Sequence, residues 1–357
     1  MAEAKSLKER VAFGIGILCL GYFLSYIPYS MLTKMLSSGL FGGMDGKGFS
    51  GFEIQPVVVL ASTIGMYAFI TFAGWWKYAT HSKIFGVSVP RPQWFTLISG
   101  LCTSSQIITT TLAYTFEGIS IVFAMLLMRG GVLIMAPIVD AVVRKRKRKI
   151  YWPSWVASGL SIGALLVSFL GKSGTAMTLV CAIDIAIYLL GYFFRLFIMS
   201  GRAKSDDVEE RKRYFTEEQL VANIALLLGL FIVGLLGIGM SKDSIPAQIW
   251  SGFVSFPFKG YFWVAFLTGL CSYGTGLFGS LIYLDKRENT FTVPANRASS
   301  VLAGVISTYL LAIFYKQKLP SADQLVGAAL IIGAILFLMY RSAVEKGQKV
   351  KKSKTKA

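Results

Sequence analysis

Ten long apolar stretches, separated by short polar segments, make up most of the chain. Each is long enough to cross about 30 Å of hydrocarbon as a helix. The predicted spans are 11–33, 55–76, 93–114, 118–143, 151–170, 176–200, 217–240, 260–284, 289–315 and 321–341. All seven tryptophans lie at or near the ends of these stretches, as in the aromatic belts of membrane interfaces. The pattern predicts an all-α membrane protein with ten transmembrane helices.

The second half of the chain repeats the first at an offset of about 170 residues. Leu20-Gly21-Tyr22-Phe23 recurs as Leu190-Gly191-Tyr192-Phe193, and Gly100-Leu101-Cys102 recurs as Gly269-Leu270-Cys271. Each repeat contains five spans, so the second repeat enters the membrane from the opposite side. The sequence therefore predicts two inverted five-helix repeats, an arrangement typical of secondary transporters.

The repeats and the remaining segments define the expected organisation of the chain. The first repeat covers 11–170 and the second covers 171–341, with 201–216 as a cytosolic linker inside the second. Residues 1–10 form a cytosolic N-terminus, and 342–357 form a basic cytosolic tail. The first span is too long for a signal peptide and lacks a cleavage pattern, so it is expected to be retained.

The net charge of +18 reflects how the basic residues are distributed across the predicted membrane, and it does not indicate nucleic-acid binding. Of the 36 lysines and arginines, 26 lie on one side of the predicted membrane, 7 lie on the other, and three arginines lie within spans. Cytosolic loops carry such an excess of basic residues, which places both termini in the cytosol. The 144–149 loop and the basic tail are expected to contact anionic lipid headgroups. We expect no nucleic-acid partner.

Arg129 and Arg297 occupy related positions in the two repeats, deep in their spans. Charge inside a membrane is costly and usually functional. The guanidinium fork matches carboxylate and phosphate oxygens and never loses its charge. Asn296 and Ser300 flank Arg297, with Ser300 on the same helix face. The pair predicts an anion-binding site near the pseudo-symmetry axis, the alternative being that protein carboxylates neutralise the arginines.

A polar stripe on the sixth span contains Asp184, Tyr188 and Arg195 at helical spacing. Asp140 on the fourth span lies at a depth similar to that of Arg195. These two residues could pair as a cytosolic gate, or Arg195 could extend to the interface. Asp184 could carry a coupling proton or serve as the partner of an arginine.

Further candidate lining residues are polar and aromatic. Tyrosines can stack on a ligand and also donate hydrogen bonds. These candidates are Tyr22, Tyr26 and Tyr29 on the first span, Gln106 on the third and Tyr273 on the eighth. The serines and threonines of the third span could equally bond their own backbone or join helices.

Ten spans in two inverted repeats resemble the drug/metabolite transporter superfamily, which includes nucleotide-sugar and triose-phosphate transporters and bacterial metabolite exporters. The most specific local match is Pro294-Ala295-Asn296-Arg297. Nucleotide-sugar transporters carry a Gly-Ala-Leu-Asn-Lys motif there, and Asn296 and Arg297 take its last two places. The preceding residues differ, and a second motif of that group has no counterpart around 124–127. The resemblance implies the ten-helix fold and a metabolite as substrate.

Function classes can be separated by what the spans contain. The chain has a single histidine, His81 in a loop, and its intramembrane aspartates, Asp140 and Asp184, are not paired with each other, so an enzyme, a metal site and a cofactor are not expected. The four cysteines lie within spans and suggest no disulfide framework. We expect a secondary transporter that moves a small anionic metabolite by alternating access, through exchange or proton coupling.

Two alternatives remain open on sequence alone. A flippase for a lipid-linked or phospholipid-like substrate would also use arginines. A neutral or cationic solute exporter is the other alternative, and a cationic solute would favour buried acid in place of the arginines. A bacterial inner membrane is the expected location, an endomembrane is the alternative, and a homodimer is left open.

Overall fold

The computed structural model describes residues 15–84, 87–116, 119–143, 152–170, 178–203, 207–285 and 289–354. Its helices are α1 (Ile15–Ser37), α2 (Gly51–Ala73), α3 (Trp94–Thr115), α4 (Ile121–Val142), α5 (Trp152–Leu170), α6 (Leu179–Arg202), α7 (Val208–Leu236), α8 (Ile245–Val254), α9 (Phe262–Tyr283), α10 (Asn289–Tyr315) and α11 (Ala322–Lys354). A two-stranded antiparallel hairpin, β1 (His81–Ile84) and β2 (Val87–Pro90), lies between α2 and α3. The predicted 144–149 loop and the 1–10 terminus lie outside the described residues.

Local sequence signals mark several helix ends. The Ser120 hydroxyl accepts a hydrogen bond from the Phe123 amide at the start of α4, and Thr178 does the same for Cys181 in α6. Gly74 ends α2 with a φ of 65°, a left-handed conformation that glycine adopts without strain. Backbone groups that lipid cannot hydrogen-bond are therefore satisfied where these helices begin and end.

The chain is an all-α integral membrane protein, as predicted. Among the described residues, seven helices are long and apolar enough to cross a membrane: α1, α2, α4, α6, α7, α9 and Thr292–Tyr315 of α10. Large apolar side chains are exposed on the outside of the bundle, including Phe72 at 91% and Leu170 at 86%. A soluble protein would not leave so much apolar surface in water.

Several predicted boundaries differ from the observed ones. The 201–216 linker was predicted too long, because α6 continues to Arg202 and α7 already begins at Val208. The Asp207 carboxylate caps α7 by accepting from the Glu209 amide, and these acidic residues favour an early helix start. The tail predicted from 342 continues α11 as far as Lys354. The hairpin was not predicted.

Helix packing follows a regular scheme. Helix α1 packs against α9 and α10, and α6 packs against α3 and α4. Helix α2 packs against α9, and α7 packs against α3. The remaining large contacts join α4 to α10 and α5 to α11. Helices α1, α3, α4, α6, α9 and α10 therefore surround the centre of the bundle, where the buried polar residues collect.

The two ends of the bundle differ in the helix termini that meet there. At the hairpin end, α2, α6 and α9 end and α3 and α7 begin, close to the β1–β2 hairpin. At the vestibule end, α1 and α3 end and α4 begins. A cavity of about 1050 Å³, lined in part by Lys34, Ser120, Lys318 and Gln324, lies at the vestibule end.

Candidate functional site

Arg129 of α4 and Arg297 of α10 converge on one tyrosine hydroxyl at the centre of the bundle. Both donate to the Tyr188 oxygen, Arg297 through Nη1 at 3.3 Å. Each also donates to a second tyrosine, Arg129 to Tyr26 and Arg297 to Tyr283. The two arginines are 2% and 0% exposed, so their charges lie inside the protein.

Among the residues that the structure describes, neither central arginine has an acidic partner. Among the described residues, no carboxylate forms an ion pair with Arg129 or Arg297. The Nε atoms of both arginines also have no hydrogen-bond partner there. The centre therefore holds two positive charges and unused donors, a combination that a bound anion with several acceptor oxygens could satisfy.

Tyrosine rings surround the two guanidinium groups. The Arg129 guanidinium carbon lies 5.4 Å from the ring centres of Tyr26 and Tyr188, and that of Arg297 lies 4.5 Å from the Tyr192 ring centre. A ring face attracts a cation without neutralising its charge. The aromatic surroundings thus hold the arginines in place and leave them electrostatically available.

A polar cavity of about 70 Å³ lies beside Arg129, with room for several water molecules. The predicted site residues that line it are Arg129, Arg195, Asn296, Tyr22, Tyr26, Tyr29, Gln106 and Tyr273. Further lining residues, not predicted, include Ser62, Tyr192, Gln219, Asn223, Ser280 and Tyr283. Side chains from eight helices, α1 to α4, α6, α7, α9 and α10, therefore meet at one central space.

Unused hydrogen-bonding groups face or border this cavity. The Tyr273 hydroxyl, Gln106 Nε2 and Asn296 Nδ2 are buried without a partner among the described residues. The Asn296 Oδ1 accepts from the Tyr283 hydroxyl at 2.9 Å. Buried polar atoms are usually paired, so this concentration is typical of a site that receives a ligand or water.

Three predicted residues, Arg297, Tyr188 and Ser300, contribute without lining the cavity. Tyr188 lies between the arginines and accepts from both. Ser300 donates to the Arg297 carbonyl oxygen at 3.0 Å, within its own helix. Ser300 therefore bonds the backbone beneath the arginine.

The predicted pairing of Arg195 with Asp140 is wrong in this conformation. Arg195 forms a two-pronged ion pair with Glu218 of α7, with Nε to Oε1 at 3.0 Å and Nη2 to Oε2 at 2.9 Å. Asp140 instead accepts from Asn289 Nδ2 at 2.9 Å. Arg195 also does not extend to the interface, since it is 3% exposed. The fork geometry explains this choice, because Glu218 satisfies two guanidinium donors at once.

Glu217 is buried beside Glu218 but serves a different contact. Its Oε1 accepts from the amide and hydroxyl of Thr80, and its Oε2 accepts from the Gln93 amide and the Thr96 hydroxyl. These donors lie directly before and after the hairpin. Glu217 thus fastens the hairpin to α7 at the hairpin end.

Asp184 of α6 is 4% exposed, and its Oδ2 has no hydrogen-bond partner among the described residues. It lies one turn from Tyr188 along the predicted stripe. The described structure forms no ion pair between Asp184 and an arginine. Asp184 is therefore not the partner of any described arginine in this conformation, and its role as the carrier of a coupling proton stays a prediction.

Sequence reasoning missed several residues of this centre. Tyr192 is the repeat counterpart of Tyr22, so the repeated Leu-Gly-Tyr-Phe motif could have identified it. Tyr283 is likewise the repeat counterpart of Tyr114. Glu218 carried no comparable signal, since it lies at the border of a predicted span.

Other ligand classes find less support in the described residues. No group of three or more His, Cys, Asp or Glu side chains in that part of the chain is placed to hold a metal ion. The clustered groups are arginines, tyrosines and amides, which recognise anions and polar molecules.

No protein-family model and no curated protein matches the chain. The chain is similar to a protein of known crystal structure, at 15% identity and a TM-score of 0.49, over 90% of this chain and 95% of that one. The fold and site described above thus define the class of protein: an all-α integral membrane protein with a buried cationic centre.

Proposed function

We propose that the chain is a secondary transporter for a small anionic metabolite, of the drug/metabolite transporter type. Its ten long helices would form two inverted repeats of five spans, with α1 to α5 related to α6, α7, α9, α10 and α11. The observation that carries the proposal is the convergence of Arg129 and Arg297 on Tyr188 without a carboxylate partner among the described residues. A membrane protein retains such a costly charge where it has a use.

Packing supports the inverted repeat. Under this relation, the contacts of α1 with α9 and α10 correspond to those of α6 with α3 and α4, and each is present. The contact of α2 with α9 likewise corresponds to that of α7 with α3. Contacts between equivalent helices, such as α4 with α10 and α5 with α11, are expected next to a two-fold axis.

Repeated glycines support the same relation at atomic scale. A Cβ on Gly100 would lie 2.5 Å from Val221 of α7, and one on Gly269 would lie 2.2 Å from the Val58 carbonyl of α2. Both glycines permit close approach at equivalent helix crossings. Close helix packing is therefore a reason for the glycine that the repeated Gly-Leu-Cys motif retains in both halves of the chain.

The two ends of the bundle support alternating access. The vestibule end contains the cavity of about 1050 Å³. At the hairpin end, the Arg195–Glu218 ion pair and the Glu217 contacts with the hairpin join α3, α6 and α7. In the proposed transporter, the vestibule end faces outside and the hairpin end faces the cytosol. The carrier is then closed on its cytosolic side.

Asp184 supports proton coupling as one of the two proposed modes. The Asp184 Oδ2 has no hydrogen-bond partner in the described part of the chain, and the carboxyl group lies buried one turn from the tyrosine that bridges both arginines, so it is placed to take up and release a proton as the site changes. Exchange of one anion for another is the other mode.

Thermal unfolding in the presence of candidate anions tests the proposal. A binding anion stabilises the folded state by mass action, so sugar phosphates, nucleotide sugars and organic acids can be compared with neutral and cationic solutes. A stabilising anion should lose its effect in Arg129→Ala and Arg297→Ala, whereas Arg213→Ala, on the surface, should respond like the wild type. Stabilisation by a neutral or cationic solute alone, or an unchanged anion response in both central variants, would refute the proposal.

A further inference from the structure

A ladder of alternating arginines and tyrosines runs from the centre towards the hairpin end. Arg297 donates to the Tyr283 hydroxyl, and the Arg195 guanidinium carbon lies 5.9 Å from the centre of the same ring. Arg195 and Arg129 line the same cavity. The next cation beyond the central pair in this direction is therefore Arg195.

Arg195 differs from the central arginines because a protein carboxylate already accepts hydrogen bonds from two of its guanidinium nitrogens. The Glu218 side chain binds it through both oxygens, and the Ser99 hydroxyl donates to Oε1 at 2.5 Å. Arg195 also donates to Gln106 Oε1 at 3.1 Å and to the Ser280 hydroxyl at 2.8 Å. The donors that hold Glu218, namely Arg195 Nε and Nη2 and the Ser99 hydroxyl, are those that a bound carboxylate or phosphate would meet in its place.

We propose that Arg195 is a second anion site, and that Glu218 fills it as an internal counter-anion while the hairpin end is closed. The inference rests on the proposed function, since the incoming anion is the transported one. An anion that moves from the central arginines towards the hairpin end would displace Glu218 from Arg195. Breaking this ion pair would release α7 from α6, so passage of the anion and opening of the hairpin end would be coupled.

Glu217 provides a matched control for this inference. It adjoins Glu218 in α7, is equally buried at 1% against 0% exposure, and also accepts several hydrogen bonds. Its donors are uncharged groups around the hairpin. Replacing either glutamate by glutamine removes a buried carboxylate from the same helix turn, but only Glu218→Gln frees an arginine.

The test measures thermal unfolding of the purified full-length protein in inorganic phosphate and in chloride at equal ionic strength. Both Glu218→Gln and Glu217→Gln should unfold at a lower temperature than the wild type in chloride, because each loses buried hydrogen bonds. Phosphate should restore Glu218→Gln selectively, with an apparent affinity about tenfold or more above that of the wild type. Glu217→Gln should respond to phosphate like the wild type. The double variant Arg195→Gln/Glu218→Gln should lose the extra response.

Each outcome decides the inference. A Glu218→Gln protein that responds to phosphate no more than Glu217→Gln overturns it, and so does one that cannot be folded in either salt. Repeating the comparison in Arg129→Ala separates the two proposals. In the Arg129→Ala background, loss of the stabilisation by phosphate that the wild type shows tests the central site. The difference in phosphate response between Glu218→Gln and Glu217→Gln tests Arg195.

Discussion

Replacing one central arginine by methionine should stabilise the empty protein while removing anion binding. Arg129 and Arg297 donate to the same Tyr188 oxygen, so their nitrogens lie within about 6 Å, two hydrogen-bond lengths. Two like charges at that distance repel by about 3 kcal/mol at an effective dielectric constant of 20. Burying the ion adds a desolvation cost that methionine does not incur.

The surrounding hydrogen bonds tolerate this change. If Arg129 is removed, Tyr26 keeps its bond to the Tyr114 hydroxyl at 2.5 Å, and Tyr188 keeps its bond to Arg297. The substitution therefore leaves no tyrosine hydroxyl unpaired. Lost cation–π contacts cost about 2 kcal/mol, so we expect Arg129→Met to raise the free energy of unfolding by about 1–3 kcal/mol.

Arg195→Met is the control with the opposite sign. It leaves the Glu218 carboxylate buried without its cation, which costs about 3–5 kcal/mol. Thermal and denaturant unfolding of the three proteins in detergent, with and without a stabilising anion, measures both effects. If Arg129→Met unfolds as far below the wild type as Arg195→Met does, Arg129 has a compensating charge in the folded protein and the reasoning is refuted.

Two further predictions concern topology and coupling. The topology can be tested in a protein whose four native cysteines are replaced. Arg146→Cys should then react with a membrane-impermeant thiol reagent only from the cytosol, and Lys47→Cys only from outside, because basic loops stay inside. The reverse pattern would overturn the orientation. Asp184→Asn mimics the protonated carboxyl group, so uptake into proteoliposomes should become less dependent on pH while anion binding at fixed pH persists. A pH profile like that of the wild type would leave Asp184 without a coupling role.

Hydrophobic pattern was sufficient to predict the membrane class and most helices. Lipid offers no hydrogen bonds to the backbone, so long apolar stretches in a membrane must form helices wherever they lie in the chain. Arg129 and Arg297 were identifiable for a related reason, because a charge deep in an apolar run is conspicuous in sequence. These inferences depend on local composition and need no knowledge of which helices touch.

Partners of the buried charges depended on tertiary structure. The sequence placed only Asp140 at the depth of Arg195, but the rotation and neighbours of each helix determine which carboxylate binds the guanidinium group, and that carboxylate is Glu218. Glu218 lies at the border of a predicted span, where a charged residue usually faces water, and only packing of α3, α6 and α7 around it shows that it is buried. Tyr188 likewise joins the two repeats through contacts 59 and 109 residues apart in the chain. Local sequence cannot determine such contacts, because they arise only when the helices are packed together.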